Sequence, residues 1–205
     1  MSYWVKHDPG RGTIEPGSGR GEWAGPVARS LAAQRGLITF LIPLTSMFAL
    51  VIAAYVMRRH LGDWQPIPLP WQLWLSTLLL VGSSIAFEQA RRSLRRDPRS
   101  APRGALRLAA LLAVAFLGSQ LWAWQALQAA GYALAANPAN SFFYLMSGLH
   151  GLHLIGGLVA WRSVRRALRD GAAEKAAVYL QLCAIYWHFL LAVWLTLFGV
   201  LLLVS

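Results

Sequence analysis

The sequence predicts an all-α integral membrane protein, a bundle of five transmembrane helices with its N-terminus in the cytoplasm and its C-terminus on the opposite face. Three observations lead there. The 205 residues are 57% hydrophobic and only 13% charged, whereas an ordinary soluble domain carries about 25% charge. Five apolar runs, residues 37–57, 69–90, 106–130, 142–161 and 176–204, each reach the roughly 20 residues that a helix needs to cross a bilayer. Finally, the basic residues alternate with these runs: of the 19 lysines and arginines, all but Arg58 and Arg59 fall on one side, which the positive-inside rule assigns to the cytoplasm.

Residues 1–35 are polar and rich in Gly, Pro and Arg, so they read as a flexible cytoplasmic tail ahead of a membrane domain over residues 36–205. A short helix near residues 25–34 is compatible with that tail. It contains no apolar stretch of signal-peptide length, so no removable signal is expected. After the first span, Pro66, Pro68 and Pro70 delay the second helix. Trp64, Trp71 and Trp74 stand where an interfacial aromatic belt belongs. Between spans two and three, Arg91, Arg92, Arg95, Arg96, Arg99, Arg103 and Arg107 crowd a stretch broken by Pro98 and Pro102, which reads as an inner loop along the membrane surface, with Arg91, Arg95 and Arg96 as contacts for anionic lipid. The loop over residues 131–140 carries Asn137-Pro138 and is short enough to make spans three and four antiparallel neighbours. Arg162, Arg165, Arg166, Arg169 and Lys175 close the fourth span on the basic side. The formal charge of +11 is thus an orientation and head-group signal, and no nucleic-acid partner is expected. Cys183 is the single cysteine, so no internal disulfide forms.

The polar residues inside the spans limit the chemistry. His150 and His153 are three apart on one side of the fourth helix, near Ser147 and among Gly148, Gly151, Gly156 and Gly157. One reading is helix packing, each imidazole bonding a carbonyl or hydroxyl on an adjacent helix while the glycines allow close approach. On that reading, leucine at either position weakens assembly by roughly 1–3 kcal/mol, because a partner is left unsatisfied. The other reading is ligation of metal or haem, which needs one of these histidines together with His188, since two histidines at this spacing cannot take opposite axial positions of one haem. Glu88 is the one acid in any span, four residues before Arg92. The pair reads as an ion pair on one helix face, with proton entry as the alternative. Gln120 and Trp124 share a face of the third span and read as packing with an interhelical hydrogen bond, lipid or quinone contact being the alternative. No nucleophile with a base, no phosphate-binding glycine loop and no Cys/His metal spacing is present. With no second acid and no lysine in the spans, the chain cannot by itself supply a proton relay.

The stretch from Phe142 through His150-Gly-Leu-His153 to Gly157 closely resembles subunit III of the haem-copper cytochrome c and quinol oxidases. Tyr186-Trp187-His188-Phe189 with Trp194 and Phe198 looks like that family's last helix. Gln120 to Trp124 falls at its Gln-and-Trp position, residues 75–84 are similar to its second span, and Phe40, Phe48, Tyr55 and Arg58 lie in register with its first. The resemblance covers about residues 37–204 and implies the five-helix bacterial form. It further implies a noncatalytic accessory subunit of a proton-translocating terminal oxidase in a bacterial inner membrane. Such a subunit packs on catalytic subunit I, with subunit II and small subunits as further partners, while haems and copper reside in the partners and none in this chain. It binds phospholipid and supports proton uptake and lasting activity. Two departures stand out: a family glutamate falls on Leu44, beside Pro43, and a family aspartate falls on Leu191. They leave open a divergent branch, including the subunit III-like proteins associated with nitric oxide reductase.

Overall fold

The computed structural model describes residues 26–60, 64, 67–97, 102–134 and 137–204, with side chains from Leu31 to Leu203. These residues form five helices: α1 (Pro26–Arg58), α2 (Gln72–Arg96), α3 (Arg103–Ala129), α4 (Pro138–Arg169) and α5 (Ala173–Val204). Each is long and apolar enough to cross a membrane, and no strand occurs among the described residues. In a hydrocarbon medium every backbone N–H and C=O must be satisfied within the segment, which leaves a helix as the form these runs can take.

The helices outrun the apolar segments. The shortest, α2, has 25 residues, about 37 Å at the helical rise, against a hydrocarbon core of about 30 Å. The excess carries charge. Arg91, Arg92, Arg95 and Arg96 belong to the last turns of α2, and Arg103 and Arg107 to the first turns of α3. The expected arginine-rich loop therefore shrinks to residues 97–102, of which 98–101 lie outside the described residues. Arginine, alanine and leucine are good helix formers, so helicity continues where hydropathy falls. For the same reason the last ten residues of the expected tail, 26–35, are already part of α1. Residues 1–25 lie outside the described residues, as does Pro66.

Local signals set the ends. Asn137 caps α4 by accepting a hydrogen bond from the Ala139 N–H at 3.0 Å, and Pro138 follows at the first helical position, where a missing N–H costs nothing. Gly131 (φ +89°) ends α3 and Gly171 (φ +70°) ends α4. Beyond them the Tyr132 N–H returns to the Leu127 carbonyl and the Ala172 N–H to the Ala167 carbonyl, the pattern in which a left-handed glycine satisfies the last carbonyls of a helix.

α2, α3, α4 and α5 close into a four-helix ring in which each packs on its two neighbours, and α1 lies outside it against α4 and α5. The alternation of direction is visible in the seam contacts. Along α2 and α3, Ser76 meets Gln120 while Ser83 meets Ala109; along α2 and α5, Thr77 meets Trp194 while Ser83 meets Trp187. On α4 the inward positions Asn140, Phe143, Ser147, His150, Leu154 and Gly157 advance by threes and fours, the period of one helix face. α1 presents Leu37, Leu41, Leu44, Phe48, Val51 and Tyr55 to its neighbours at the same spacing. Trp71 and Trp74 are exposed as an interfacial belt would be, whereas Trp64 packs against Tyr55 with ring centres 5.0 Å apart.

Candidate functional site

The ring is held by indoles and hydroxyls that reach across every seam. Trp187 donates to the Ser83 hydroxyl at 2.9 Å, and Ser83 donates onward to the Ala109 carbonyl at 2.8 Å, so one chain of bonds ties α5 to α2 and α2 to α3. Trp194 donates to Thr77 at 2.9 Å. Gln120 donates through Nε2 to Ser76 at 2.8 Å. Trp124 donates to Ser147 at 3.1 Å, closing α3 on α4, and Trp161 donates back to the Leu106 carbonyl at 2.9 Å. The Tyr186 hydroxyl donates to the His153 carbonyl at 3.0 Å, joining α5 to α4. In lipid, where apolar surface gives helices little reason to associate, such bonds and close packing supply the cohesion.

Of the glycines, Gly157 makes the tightest approach. A Cβ there would lie 2.9 Å from Cζ3 of Trp187 and 3.2 Å from Cε1 of Tyr186, and at Gly148 it would lie 3.3 Å from Cη2 of Trp124. The remaining two behave differently. At Gly151 the nearest side chain is Leu117 at an ordinary 3.4 Å, and Gly156 is exposed, its nearest neighbour a Tyr186 hydroxyl at 3.9 Å. The expectation that all four permit close approach is corrected for Gly156, which points away from the seam that Gly157 fills.

His150 is fully buried on α4. Its ring meets Phe48 of α1 at 6.4 Å, Phe116 of α3 at 5.6 Å and Trp194 of α5 at 5.3 Å between centres. Neither ring nitrogen has a hydrogen-bond partner. His153 is half-buried beside Phe48 and donates from Nδ1 to the Leu149 carbonyl of its own helix at 2.7 Å; His188 does the same to Ala184 at 2.6 Å. The expected bonds from the imidazoles to adjacent helices are therefore replaced by edge-on and tilted ring contacts at His150 and by bonds within the helix at the other two. This reverses the sign expected of a substitution. Because His150 leaves two polar nitrogens buried without partners, an apolar side chain there loses no hydrogen bond. We expect His150→Leu to keep the folded chain within about 1 kcal/mol of the wild type or to stabilise it, as read from thermal unfolding in detergent; a loss of several degrees would show a bond the rings conceal.

The histidines do not converge. A haem on His150 would have to displace Phe116 or Trp194, while His188 borders a groove of about 400 Å³ shared with Ser84, Glu88, Gln89, Arg92 and Leu191. Among the described residues no three His, Cys, Asp or Glu side chains lie close enough to hold a metal ion. Glu88 pairs with Arg92 at 2.9 Å as the spacing implied, and it also takes two bonds from Arg91, at 2.8 and 3.0 Å. Arg91 is thus engaged within α2, whereas Arg95 and Arg91 together edge a recess of about 400 Å³ that Glu174 also lines. Arg96 is exposed. Leu44 is buried among the α1 contacts, and Leu191 is half-buried in the groove beside His188. Cys183 is buried and free.

This arrangement, a ring of helices tied by indoles and hydroxyls around packed aromatic side chains, can be set beside known proteins. A model of the family described as cytochrome c oxidase subunit III matches residues 10–204. The chain belongs to that family. A subunit III from Thermostichus vulcanus is 33% identical over 81% of this chain and 84% of its own length. One from Synechocystis sp. is 26% identical over 91% of this chain and 80% of its own. The cytochrome bo(3) ubiquinol oxidase subunit 3 of Pseudomonas aeruginosa is 29% identical over 75% of this chain and 76% of its own. As a subunit III, the chain is an accessory, multi-pass membrane subunit of a terminal oxidase complex, and the nitric oxide reductase alternative is not favoured. Within this subunit III, reasoning from sequence gave no bonding role to Ser83, Thr77, Trp161 or Tyr186, each of which bonds across a seam. Their signal was present as hydroxyls and indoles in apolar runs, yet nothing in their spacing told which would meet.

Proposed function

We propose that this chain is the noncatalytic subunit III of a proton-pumping cytochrome c oxidase in a bacterial inner membrane, its N-terminus cytoplasmic and its C-terminus periplasmic. It packs on catalytic subunit I beside subunit II and small subunits, which hold the haems and copper, and it carries neither itself. Its own work is to bind phospholipid at its basic end and to support proton uptake and lasting turnover during reduction of oxygen to water. The observation that carries this reading is the filled interior: Phe87, Phe116, His150, Trp187 and Trp194 occupy the space between the helices, which fits a subunit that supports chemistry conducted next door. The alternation of basic residues supports the orientation, and bacterial relatives support the membrane.

Purification decides the matter. Extracted in mild detergent, the tagged chain is expected to bring with it a larger subunit showing the absorption bands of the oxidase haems together with copper. A chain that repeatedly emerges without haem would overturn the proposal, and a Soret band on the isolated chain would revive the reading in which His150 or His153 ligates haem together with His188.

A further inference from the structure

The α2–α5 seam is closed on its inner side and open on its outer one. Inside, Trp187 bonds Ser83 and Trp194 bonds Thr77; outside lies the groove of about 400 Å³ that His188 shares with Glu88. α1 packs on α4 and α5 and makes no contact with α2, so no described helix of this chain covers the groove. The two bonds also fix its depth. Because the helices are antiparallel, with 187 beside 83 and 194 beside 77, His188 stands at the level of Gly82, and Glu88 lies six residues, roughly 9 Å, nearer the basic end. His188 is the sixteenth of the 32 residues of α5, so its end of the groove falls near the middle of the hydrocarbon.

An imidazole exposed at that depth lacks a partner for one of its nitrogens. Nδ1 of His188 donates to the Ala184 carbonyl at 2.6 Å, which leaves Nε2 of the neutral ring as an acceptor for whatever enters the groove. At the other end Glu88 accepts three hydrogen bonds, two from Arg91 and one from Arg92, of the roughly four that a carboxylate can take. Both ends therefore accept. Between them Ser84 is buried in the groove wall, and its hydroxyl makes no hydrogen bond among the described residues, while Val81, Ile85 and Leu191 supply apolar sides. These features select a hydrocarbon-soluble molecule with an apolar body and a donor at each end. A phospholipid does not meet them: its phosphate stays at the head-group level, and the acyl chain that reaches His188 has no O–H or N–H to donate. Two hydroxyls on opposite sides of a six-membered ring do, since a hydrogen bond of about 2.8 Å at each end carries the ring across the gap.

The geometry points to a binding site for a lipid-soluble hydroquinone, a quinol, in the α2–α5 groove, with one hydroxyl donating to Nε2 of His188 and the other to Glu88. The site prefers the reduced form, because the oxidised quinone has no O–H to offer and leaves both acceptors unpaired. The inference rests on the chain spanning the membrane and not on which complex it joins, and its readout is separate from oxidase activity.

The test is photolabelling of the intact complex in mild detergent under argon, with a ubiquinol-2 analogue that bears a diazirine on its side chain and with the label mapped on this chain by mass spectrometry. Label is expected within residues 81–92 and 188–191. Unlabelled ubiquinol-2 is expected to compete about tenfold better than either its dimethyl ether or ubiquinone-2, the scale of a lost hydrogen bond. His188→Phe is expected to lower labelling by about the same factor, whereas His153→Phe, which removes the other imidazole bonded to its own helix, leaves it unchanged. Should His188→Phe fail to assemble, Leu191→Trp, which fills the groove while leaving both acceptors in place, is expected to abolish the label. Equal competition by the quinol and its dimethyl ether would show that the acceptors play no part and overturn the site, as would unchanged labelling in both groove variants. Displacement by phosphatidylcholine at equal concentration would make the groove a general lipid furrow, and absence of label from the complex would give it to a helix of a partner subunit; either result overturns the site. A chain that purifies without a haem subunit and still takes the label with this preference would refute the proposed complex and leave the site standing.

Discussion

Valine in place of Gly157 is expected to break the α4–α5 seam. The Cβ alone would stand 2.9 Å from Trp187 and 3.2 Å from Tyr186, closer than van der Waals contact, and valine adds two methyl groups beyond it. The neighbour has no room to yield: Trp187 is fully buried, packed on Phe87 at 4.3 Å between ring centres and tethered to Ser83. Overpacking of such a site costs typically about 1–3 kcal/mol, and the valine should sit at or above the top of that range. The observable is a fall in thermal midpoint in detergent and in the yield of complex. Gly156→Val is the control, since that position is exposed on the same helix turn, and surface changes of this sort stay within about 0.5 kcal/mol. Equal effects from the two valines would mean that β-branching in the helix, and not the seam, is responsible.

Trp187→Ala is expected to have the second large effect, at about 3–5 kcal/mol, because it empties a buried ring volume and deletes the indole that ties α5 to α2. The bond and the volume separate experimentally. Trp187→Phe keeps most of the bulk and leaves Ser83 free to donate to Ala109 as before, so it should cost only about 1 kcal/mol, the scale of one interhelical hydrogen bond in a membrane protein. The two sites also report on one contact. In a Trp187→Leu background the 2.9 Å approach of a side chain at Gly157 to the indole disappears while the 3.2 Å approach to Tyr186 remains, so Gly157→Ala should cost less there than in the wild type, with a coupling of about 0.5–3 kcal/mol expected for residues in direct contact. Additive costs in this cycle would refute the claim that Gly157 is small because Trp187 is large.

Much of the architecture could be read along the chain. A run such as residues 176–204 has one stable conformation in lipid, and the short connections leave consecutive helices little choice but to alternate. The exposed Trp71 and Trp74 and the Glu88–Arg92 pair followed from rules of the same local kind, whereas Trp64 turned onto Tyr55. What escaped were relations between helices. Trp124 and Trp187 are both indoles in apolar runs, and only the rotation of α5 against α2 sets the second onto Ser83. His150 and His153 look equivalent three residues apart, yet one faces a cage of rings with no partner and the other turns back on its own helix.

The sequence by itself determined the five spans, the basic end and the family, because bilayer thickness, backbone hydrogen bonding and charge asymmetry act on each segment separately. The tertiary structure alone decided which glycine is pressed by a ring, which histidine is left without a bond, and which hydroxyl each indole reaches. Those outcomes depend on the register and rotation of one helix against another. Both are set by packing summed over whole seams, which no single helix's residues contain.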